Sequence, residues 1–184
     1  MPYTAKRMIM KKIVMLIALI CGTFTAFAEE NAKQSHYTWG IDLGSSIDMR
    51  GEEMTNINLD AFFGYKNDYF KVLGIGAELD IMTGNSSRSI PVYAIMRTSF
   101  LPGQHQLFGD FRAGISMNDV YDFKSQTGAY ASAGLGITLA KGSLFRSHLI
   151  VGYTFIGRSD FDLADGVYHC PDLHFATLRL GISF

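Results

Sequence analysis

The end of the chain, from His174 to Phe184, alternates strictly between apolar and other side chains. Arg179 lies in the middle of the less apolar face. Because a period of two residues is that of an extended strand, this segment predicts a β-strand with one apolar side. A fold built from such strands must offer an apolar environment to one side of each strand and a polar one to the other. The apolar side of this last strand carries Ala176, Leu178, Leu180, Ile182 and Phe184.

The beginning of the chain has the three parts of a secretory signal peptide. Four basic residues precede the apolar segment 13–27, and Ala26, Phe27 and Ala28 form a small-x-small cleavage site. We expect cleavage after Ala28, so that residues 1–28 form the signal peptide and residues 29–184 form the mature domain. The basic residues are Lys6, Arg7, Lys11 and Lys12.

The rest of the composition restricts where an exported chain of this kind resides. No later segment approaches the roughly 20 apolar residues of a transmembrane helix, which leaves the periplasm, the cell exterior or a membrane β-barrel. Cys170 is the one cysteine of the expected mature domain, so an internal disulfide is excluded. The formal net charge of −1 gives no reason to expect a nucleic-acid partner.

Eight segments alternate in the same way, and each predicts one strand. Their connections differ in length: those at 66–68, 102–106 and 140–143 are short, whereas the others are longer and polar. Alternating short and long connections are typical of outer-membrane β-barrels, whose short turns lie in the periplasm and whose longer loops lie outside the cell. The predicted strands cover residues 37–49, 56–65, 70–82, 90–101, 107–117, 128–139, 145–156 and 174–184, and the longer connections lie near 50–55, 83–89, 118–127 and 157–173.

Alternation alone does not say which face points inward, because soluble lipocalin-like barrels also alternate. The polar faces of these strands carry glycine, serine and threonine, a few Asp and Arg residues, and the bulky Tyr93 and Tyr130, with almost no lysine. Small and large side chains mixed in this way suit a narrow packed lumen. We therefore expect the apolar faces to contact lipid. Aromatic residues near the predicted periplasmic ends resemble an interfacial girdle: Tyr37, Trp39, Phe63, Tyr65, Phe100, Phe111, Phe145 and Phe184.

Together, the signal peptide, the eight alternating strands, the asymmetric connections and the terminal Phe184 resemble the small OmpA/OmpX-type porin-like β-barrels of Gram-negative outer membranes. The resemblance implies an all-β, eight-stranded, antiparallel up-and-down transmembrane barrel in the cell outer membrane. It also implies that Leu180, Ile182 and Phe184 form a signal read by the barrel-assembly machinery. That machinery and outer-membrane lipid are the expected partners.

Six charged residues of the polar faces lie about four to six residues from the predicted periplasmic ends of their strands, hence at one level for a rise of about 3.3 Å per residue. They are Asp42, Asp60, Arg97, Asp110, Arg112 and Arg179. Because the last strand neighbours the first in a closed barrel, we expect Arg179 to meet Asp42 and Asp60. The other three come from the next hairpin. Buried ions need partners, so the cluster is either an electrostatic plug or an ion path, and the narrow lumen favours the plug.

Three further motifs have weaker chemical interpretations. Gly74 and Gly76, like Gly134 and Gly136, lie inside predicted strands and open no helix, so a nucleotide loop is not expected. The segment from His169 to His174 contains metal-ligating residue types around Cys170, but in a spacing that matches no closed metal site. No metal and no other cofactor is therefore predicted.

Some small outer-membrane barrels modify lipid A with a histidine, a serine and an acid. Here Ser147 and His148 point to opposite faces of one strand, and no serine accompanies His174 at an obvious position. No catalytic residue is predicted. The expected function is a non-enzymatic structural, adhesive or surface-interaction role, with an extracellular protein or surface ligand bound by the loops. The alternatives are a small-solute channel and a lipid A-modifying enzyme.

Overall fold

The computed structural model describes residues 36–51, 55–67, 69–83, 87–101, 104–120, 124–158, 161–163, 166–168 and 170–184. Its strands are β1 Tyr37–Asp48, β2 Asn56–Tyr65, β3 Phe70–Met82, β4 Arg88–Leu101, β5 Gln104–Val120, β6 Lys124–Lys141, β7 Arg146–Ile156, β8 Phe161–Leu163, β9 Gly166–Tyr168 and β10 Leu173–Ser183. The expected signal peptide lies outside the described residues, so cleavage after Ala28 stays a prediction. No helix in this part of the chain is long and apolar enough to cross a membrane.

Eight of these strands close into one antiparallel barrel in the order β1-β10-β7-β6-β5-β4-β3-β2, with β2 pairing again with β1. Consecutive barrel strands are therefore neighbours, which is the up-and-down topology, and the predicted fold class is confirmed. The remaining two strands, β8 and β9, form a separate small hairpin within the connection from β7 to β10. Closure also leaves the barrel without a free sheet edge.

The alternation of the sequence becomes an alternation of environment around the barrel. In β2, every second residue from Asn56 to Gly64 is buried, whereas the residues between them are exposed. In β10, Arg179 is buried between Leu178 and Leu180, which are 50% and 55% exposed. The outer surface is therefore apolar, whereas the lumen holds the buried charged and polar side chains together with some apolar ones. Every barrel strand contributes to this surface, for example Leu43, Leu59, Ile75, Val92, Ile115, Leu135, Val151 and Leu178.

Aromatic side chains gather on the outside at the end of the barrel where the short turns lie. The Tyr37 ring stacks on Phe63 with 5.8 Å between centroids, next to Tyr65. Trp39 stacks on Phe184 at 4.5 Å across the junction of β1 and β10, and the Phe184 amide donates to the Trp39 carbonyl at 2.8 Å. The first and last strands are thus joined at this end by both stacking and a hydrogen bond.

Two predicted loops are more ordered than the sequence indicated. The expected loop 118–127 is largely strand, because β5 continues to Val120 and β6 begins at Lys124. Loop 157–173 contains the β8–β9 hairpin, and β4 begins at Arg88 rather than residue 90. Main-chain pairing does not need lipid, so the hairpin continues through polar residues such as Asn118 and Gln126, which face each other. At 17 and 18 residues, β5 and β6 exceed the roughly 9–11 residues needed to cross a bilayer.

Candidate functional site: the charged lumen

The structure places all six predicted charged residues in the interior, each at most 3% exposed. Five of them form one connected cluster, called here the ionic layer: Asp42, Asp60, Arg97, Asp110 and Arg112. The sixth, Arg179, contacts Glu78, which also lies 3.7 Å from Arg112 Nη1 and so links Arg179 to this layer. The alternation of the strands therefore predicted that these side chains point inward, whereas the structure shows which residues they contact.

Arg112 is the centre of the ionic layer. It projects from β5, which lies opposite β1 in the barrel. Its Nη2 donates to Asp42 Oδ2 at 2.8 Å, its Nε to Asp110 Oδ1 at 2.8 Å, and its Nη1 to Asp60 Oδ2. One guanidinium thus crosses the lumen and hydrogen-bonds to carboxylates from three strands, and Glu78 of a fourth strand lies 3.7 Å from its Nη1. Such charge-assisted hydrogen bonds are the stronger kind in a protein interior.

Arg97, on β4, occupies the same layer from the neighbouring strand. Its Nε donates to Asp110 Oδ2 at 2.5 Å, and its Nη2 donates to Asp42. The guanidinium also lies 4.3 Å from the centroid of the Phe62 ring, in cation–π contact. His148 Nε2 completes the layer, 2.8 Å from Asp42 Oδ1 and 3.0 Å from Arg97 Nη1. His148 was not among the six residues that the sequence predicted for this cluster.

The expected contact of Arg179 with Asp42 and Asp60 is wrong. Its Nη2 instead lies 3.3 Å from Glu78 Oε1 on β3. Tyr130 and Thr154 also accept from Nη2, at 3.3 and 3.2 Å, and Ser132 accepts from Nη1. The reason is register: in β10 the residue opposite Asp42 is Gly181, and Arg179 lies opposite Gly44. The Arg179 guanidinium reaches across the lumen instead of along the sheet.

The expected balance of three Asp against three Arg is also incomplete. Among the described buried residues, Glu78 and Asp80 add two carboxyl groups on β3. Strand register places Asp42 opposite Asp60, and Asp60 opposite Glu78, so three acids form one row on adjacent strands. Like charges placed directly across a sheet repel each other. The guanidinium groups that cross from the far wall offset this repulsion.

Two glycines make room for these contacts. Gly181 lies between Asp42 on β1 and His148 on β7, and a Cβ there would come within 2.6 Å of His148 Nε2. Gly76 lies under the Tyr93 ring, which a Cβ would approach to 2.6 Å. That ring in turn sends its hydroxyl to Asp60 Oδ1 at 2.7 Å. Gly76 therefore makes room for a bulky ring in the lumen.

Toward the loop end, the lumen contains uncharged polar and apolar side chains as well as the buried Asp80, which lies opposite Ser89. Ser89, Ser116 and Asn118 hydrogen-bond to one another at 2.5–2.8 Å. Near the same end, buried apolar side chains pack inside the barrel, and we call this set the apolar layer: Met82, Ile156, Leu173 and Phe175. Ion pairs therefore cross the lumen at one level, and apolar side chains fill it at another.

The other candidate residues stay apart from this cluster. His174 lies on the outside, with Nδ1 2.5 Å from the Tyr153 hydroxyl. Within the described residues, no group of three His, Cys, Asp or Glu side chains is arranged to hold a metal. His169 falls outside those residues, and Cys170 is partly exposed. The predicted assembly residues Leu180 and Ile182 lie on the outer surface, and Phe184 packs on Trp39.

No protein-family model matches the chain, and no curated protein matches its sequence. Among solved structures, the chain is similar to the N-terminal β-barrel domain of Pseudomonas aeruginosa OprF. The TM-score is 0.51 at 14% identity, covering 82% of this chain and 100% of that domain. Ail, the attachment invasion locus protein of Yersinia pestis, solved with the heparin analogue sucrose octasulfate, aligns at a TM-score of 0.36. The identity is 11% over 80% of this chain and 96% of Ail. A TM-score this low does not bear on the present chain. The closed antiparallel topology and the likeness to the OprF domain together show that the chain has the fold of the eight-stranded OmpA/OmpX-type outer-membrane β-barrels.

Proposed function

We propose that the protein is a barrel of the cell outer membrane whose lumen is closed, and that it acts without catalysis as a scaffold for the surface at its loop end. The observation that carries this proposal is the ionic layer. Arg97 and Arg112 reach across the barrel to Asp42, and these side chains are almost fully buried. A path for a solute through the middle of the lumen would have to separate these ion pairs.

The location is inferred from the outer surface. Large apolar side chains are exposed on all eight barrel strands, which far exceeds the apolar patch that a water-soluble monomer usually tolerates. Strands of 10 residues and more are long enough to cross a bilayer. The aromatic side chains at the short-turn end match the girdle that outer-membrane barrels place at an interface. Lipid is therefore the partner of this surface.

The two alternative functions fit the contacts less well. A small-solute channel requires an open lumen, whereas the ionic and apolar layers both lie across it. A lipid A-modifying enzyme requires a nucleophile within hydrogen-bond reach of its base. Among the described residues, His148 contacts Asp42 and Arg97, and the hydrogen-bond partner of His174 is Tyr153. Neither histidine has a serine in that position.

If nothing passes through the barrel, its activity belongs to the connections at the loop end, where rigid scaffolds commonly carry binding residues. The largest is the connection from β7 to β10, which contains the β8–β9 hairpin. We infer that this connection contacts an extracellular protein or surface ligand. Replacing residues 158–171 with a short turn should leave the barrel folded, because the lumen contacts are untouched.

The test compares cells that produce the native and the shortened protein. Both proteins should be found in the outer-membrane fraction with heat-modifiable gel mobility, and adhesion to epithelial layers should fall only for the shortened one. A polar insertion between β4 and β5, at the other end of the barrel, is the matched control and should leave adhesion unchanged. Recovery of the native protein in the soluble periplasm would contradict the location. Equal adhesion by both proteins would contradict the role of the loop.

The terminal strand offers a separate test of assembly. We propose that the machinery that inserts barrels reads Leu180, Ile182 and Phe184, whose side chains lie on or near the outer surface. Deleting Phe184 also removes the stacking on Trp39 across the junction of β1 and β10. The folded yield in the outer membrane should fall while export continues, as measured by fractionation and gel mobility. An unchanged folded yield would remove Phe184 from the signal.

A further inference from the structure

At the short-turn end, the lumen opens into a cavity of about 120 Å³. Arg97, Phe108 and His148 of the lumen form its floor. Four more cationic side chains line it, and we call them the mouth cations: Lys66, Lys71, Lys141 and Arg146. No Asp or Glu is among the described residues that line the cavity. This concentration of one charge contrasts with the paired ions of the layer beneath it.

A β-bulge directs Lys71 inward. In β3, Val72 is buried in the lumen, so regular alternation would turn Lys71 to the outside. The pairing of β3 with β4 shifts register between Phe70 and Val72, at Lys71 itself. Bulges re-aim side chains in this way and are common near functional sites. As a result, Lys71 Nζ lies 3.2 Å from Thr138 Oγ1 and 4.4 Å from the centroid of the Phe108 ring.

A second bulge has the same effect on the other side of the cavity. The pairing of β6 with β7 shifts between Thr138 and Ala140. Thr138 lies opposite His148, so an unshifted ladder would place Ala140 opposite Arg146. The shift places Lys141 there instead. Two independent irregularities at one end of the barrel therefore each bring a lysine to the same cavity.

This arrangement is unfavourable without a counter-charge. Lys141 and Arg146 lie directly across from each other, and like charges in that position destabilise a sheet. Burial, together with the nearby Arg146 charge, lowers the pKa of Lys66. Among the described residues, the cavity lining therefore contains the four mouth cations and no carboxylate side chain. An anion held between these side chains would offset the repulsion.

We propose that this mouth is a binding site for a small oxyanion that carries a phosphate group and enters from the side of the short turns. Lysine ammoniums and an arginine fork are the groups that recognise phosphate in proteins. The hydroxyls of Thr138 and Ser183 line the same cavity and can donate to phosphate oxygens. The cavity volume suits a small anion and excludes a polymer. This site is at the opposite end from the loops and does not depend on the function proposed for them.

The test is calorimetric titration of inorganic phosphate into the purified full barrel in a nonionic detergent, with ionic strength held constant by chloride. We expect saturable binding with one phosphate per barrel. Lys141→Gln combined with Arg146→Gln should weaken it by about tenfold or more, a loss of about 1.4 kcal/mol or more. Arg88→Gln removes an exposed cation near the loop end of β4 and is the matched control, so its affinity should equal that of the native protein.

Lys66→Gln is a second variant, at a residue outside the strands, and it should also weaken phosphate binding. It keeps the test valid if the double substitution of Lys141 and Arg146 impairs folding. In the absence of phosphate, Lys141→Gln should raise the unfolding midpoint slightly because a repulsion is removed, and added phosphate should stabilise the native barrel more than this variant. Lack of saturable binding would overturn the proposal, as would equal affinity in the native and doubly substituted proteins.

The source of the phosphate group is identified by repeating the titration in lipid nanodiscs. If the bound group belongs to a soluble anion, affinity should be the same in discs of phosphatidylcholine with and without phosphatidic acid. If a lipid headgroup supplies it, phosphatidic acid should compete and lower the apparent affinity for inorganic phosphate. Both results retain the same site. If phosphatidic acid still competed in the doubly substituted variant, the lipid would bind elsewhere, and the proposed site would be contradicted.

Discussion

Buried side chains occupy the lumen at two levels, with different chemistry at each. In the ionic layer, Arg97 and Arg112 contact carboxylates on several strands, and each contact has a defined direction. In the apolar layer near the loop end, side chains such as Ile156 and Phe175 pack without directional bonds. The ionic layer thus links particular residues of opposite walls, whereas the apolar layer requires only that its volume be filled.

This difference determines what each level tolerates. Removing one partner of a buried ion pair leaves the other charge buried without compensation, which costs more than the pair contributes. Apolar side chains of similar volume can replace one another at small cost. We therefore expect the ionic layer to be sensitive to single substitutions and the apolar layer to be tolerant of conservative ones.

The largest effect is expected for Arg112→Met. Asp60 would keep the hydrogen bond from Tyr93 but no contacting guanidinium, and Asp42 would depend on Arg97 and His148. We expect the free energy of unfolding to fall by about 3–5 kcal/mol, the usual loss when one member of a buried pair is removed. Urea titration in detergent micelles, followed by the fluorescence of the single tryptophan, Trp39, measures this change.

A double variant isolates the unpaired charge as the cause. Asp60→Leu combined with Arg112→Met also removes the carboxylate that the single substitution leaves without a contacting guanidinium. Stability should recover by a substantial part of the loss, because replacing both members of a buried pair by apolar groups is often nearly neutral. If the single substitution costs less than about 1 kcal/mol, water must already solvate Asp60, and the ionic layer is not dry.

A much smaller effect is expected for Phe175→Leu in the apolar layer. Phe175 is fully buried, but it lies among other apolar side chains that can adjust to a slightly smaller neighbour. The loss should stay below about 1.5 kcal/mol, as for other conservative hydrophobic replacements. The same urea titration applies. A loss equal to that of Arg112→Met would show that the two layers do not differ in the way described.

Much of this fold was predictable because period-two alternation is a strong local signal. Each of the eight barrel strands was predicted, and the inward position of Arg97, Arg112 and Arg179 followed from parity alone. The strand ends were less predictable. Polar residues around Asn118 and Gln126 indicated a loop, yet main-chain pairing continues through them because the hydrogen bonds of a hairpin need no apolar side-chain face.

The partners within the lumen were harder to predict, for a geometric reason. The predicted cluster grouped residues that lie equally far from the periplasmic ends of their strands. Because barrel strands tilt by about 35–45°, such residues on neighbouring strands lie at different heights along the barrel axis. Asp60 therefore lies opposite Glu78, which had been left out of the cluster, and Arg179 pairs across the lumen. The bulges at Lys71 and before Lys141 could not be predicted either. Each bulge reverses which residues of the strand face the lumen, and neither has a recognisable sequence pattern.

The closed lumen is the central claim, and electrical recording in planar lipid bilayers tests it most directly. The native protein should be reconstituted at a density confirmed by co-flotation with lipid. Because Arg97 and Arg112 cross the lumen to Asp42 and an apolar layer lies beyond them, we predict no steady conductance above that of the bare bilayer. Stable, ohmic single-channel openings by the native protein would contradict this account and establish a channel.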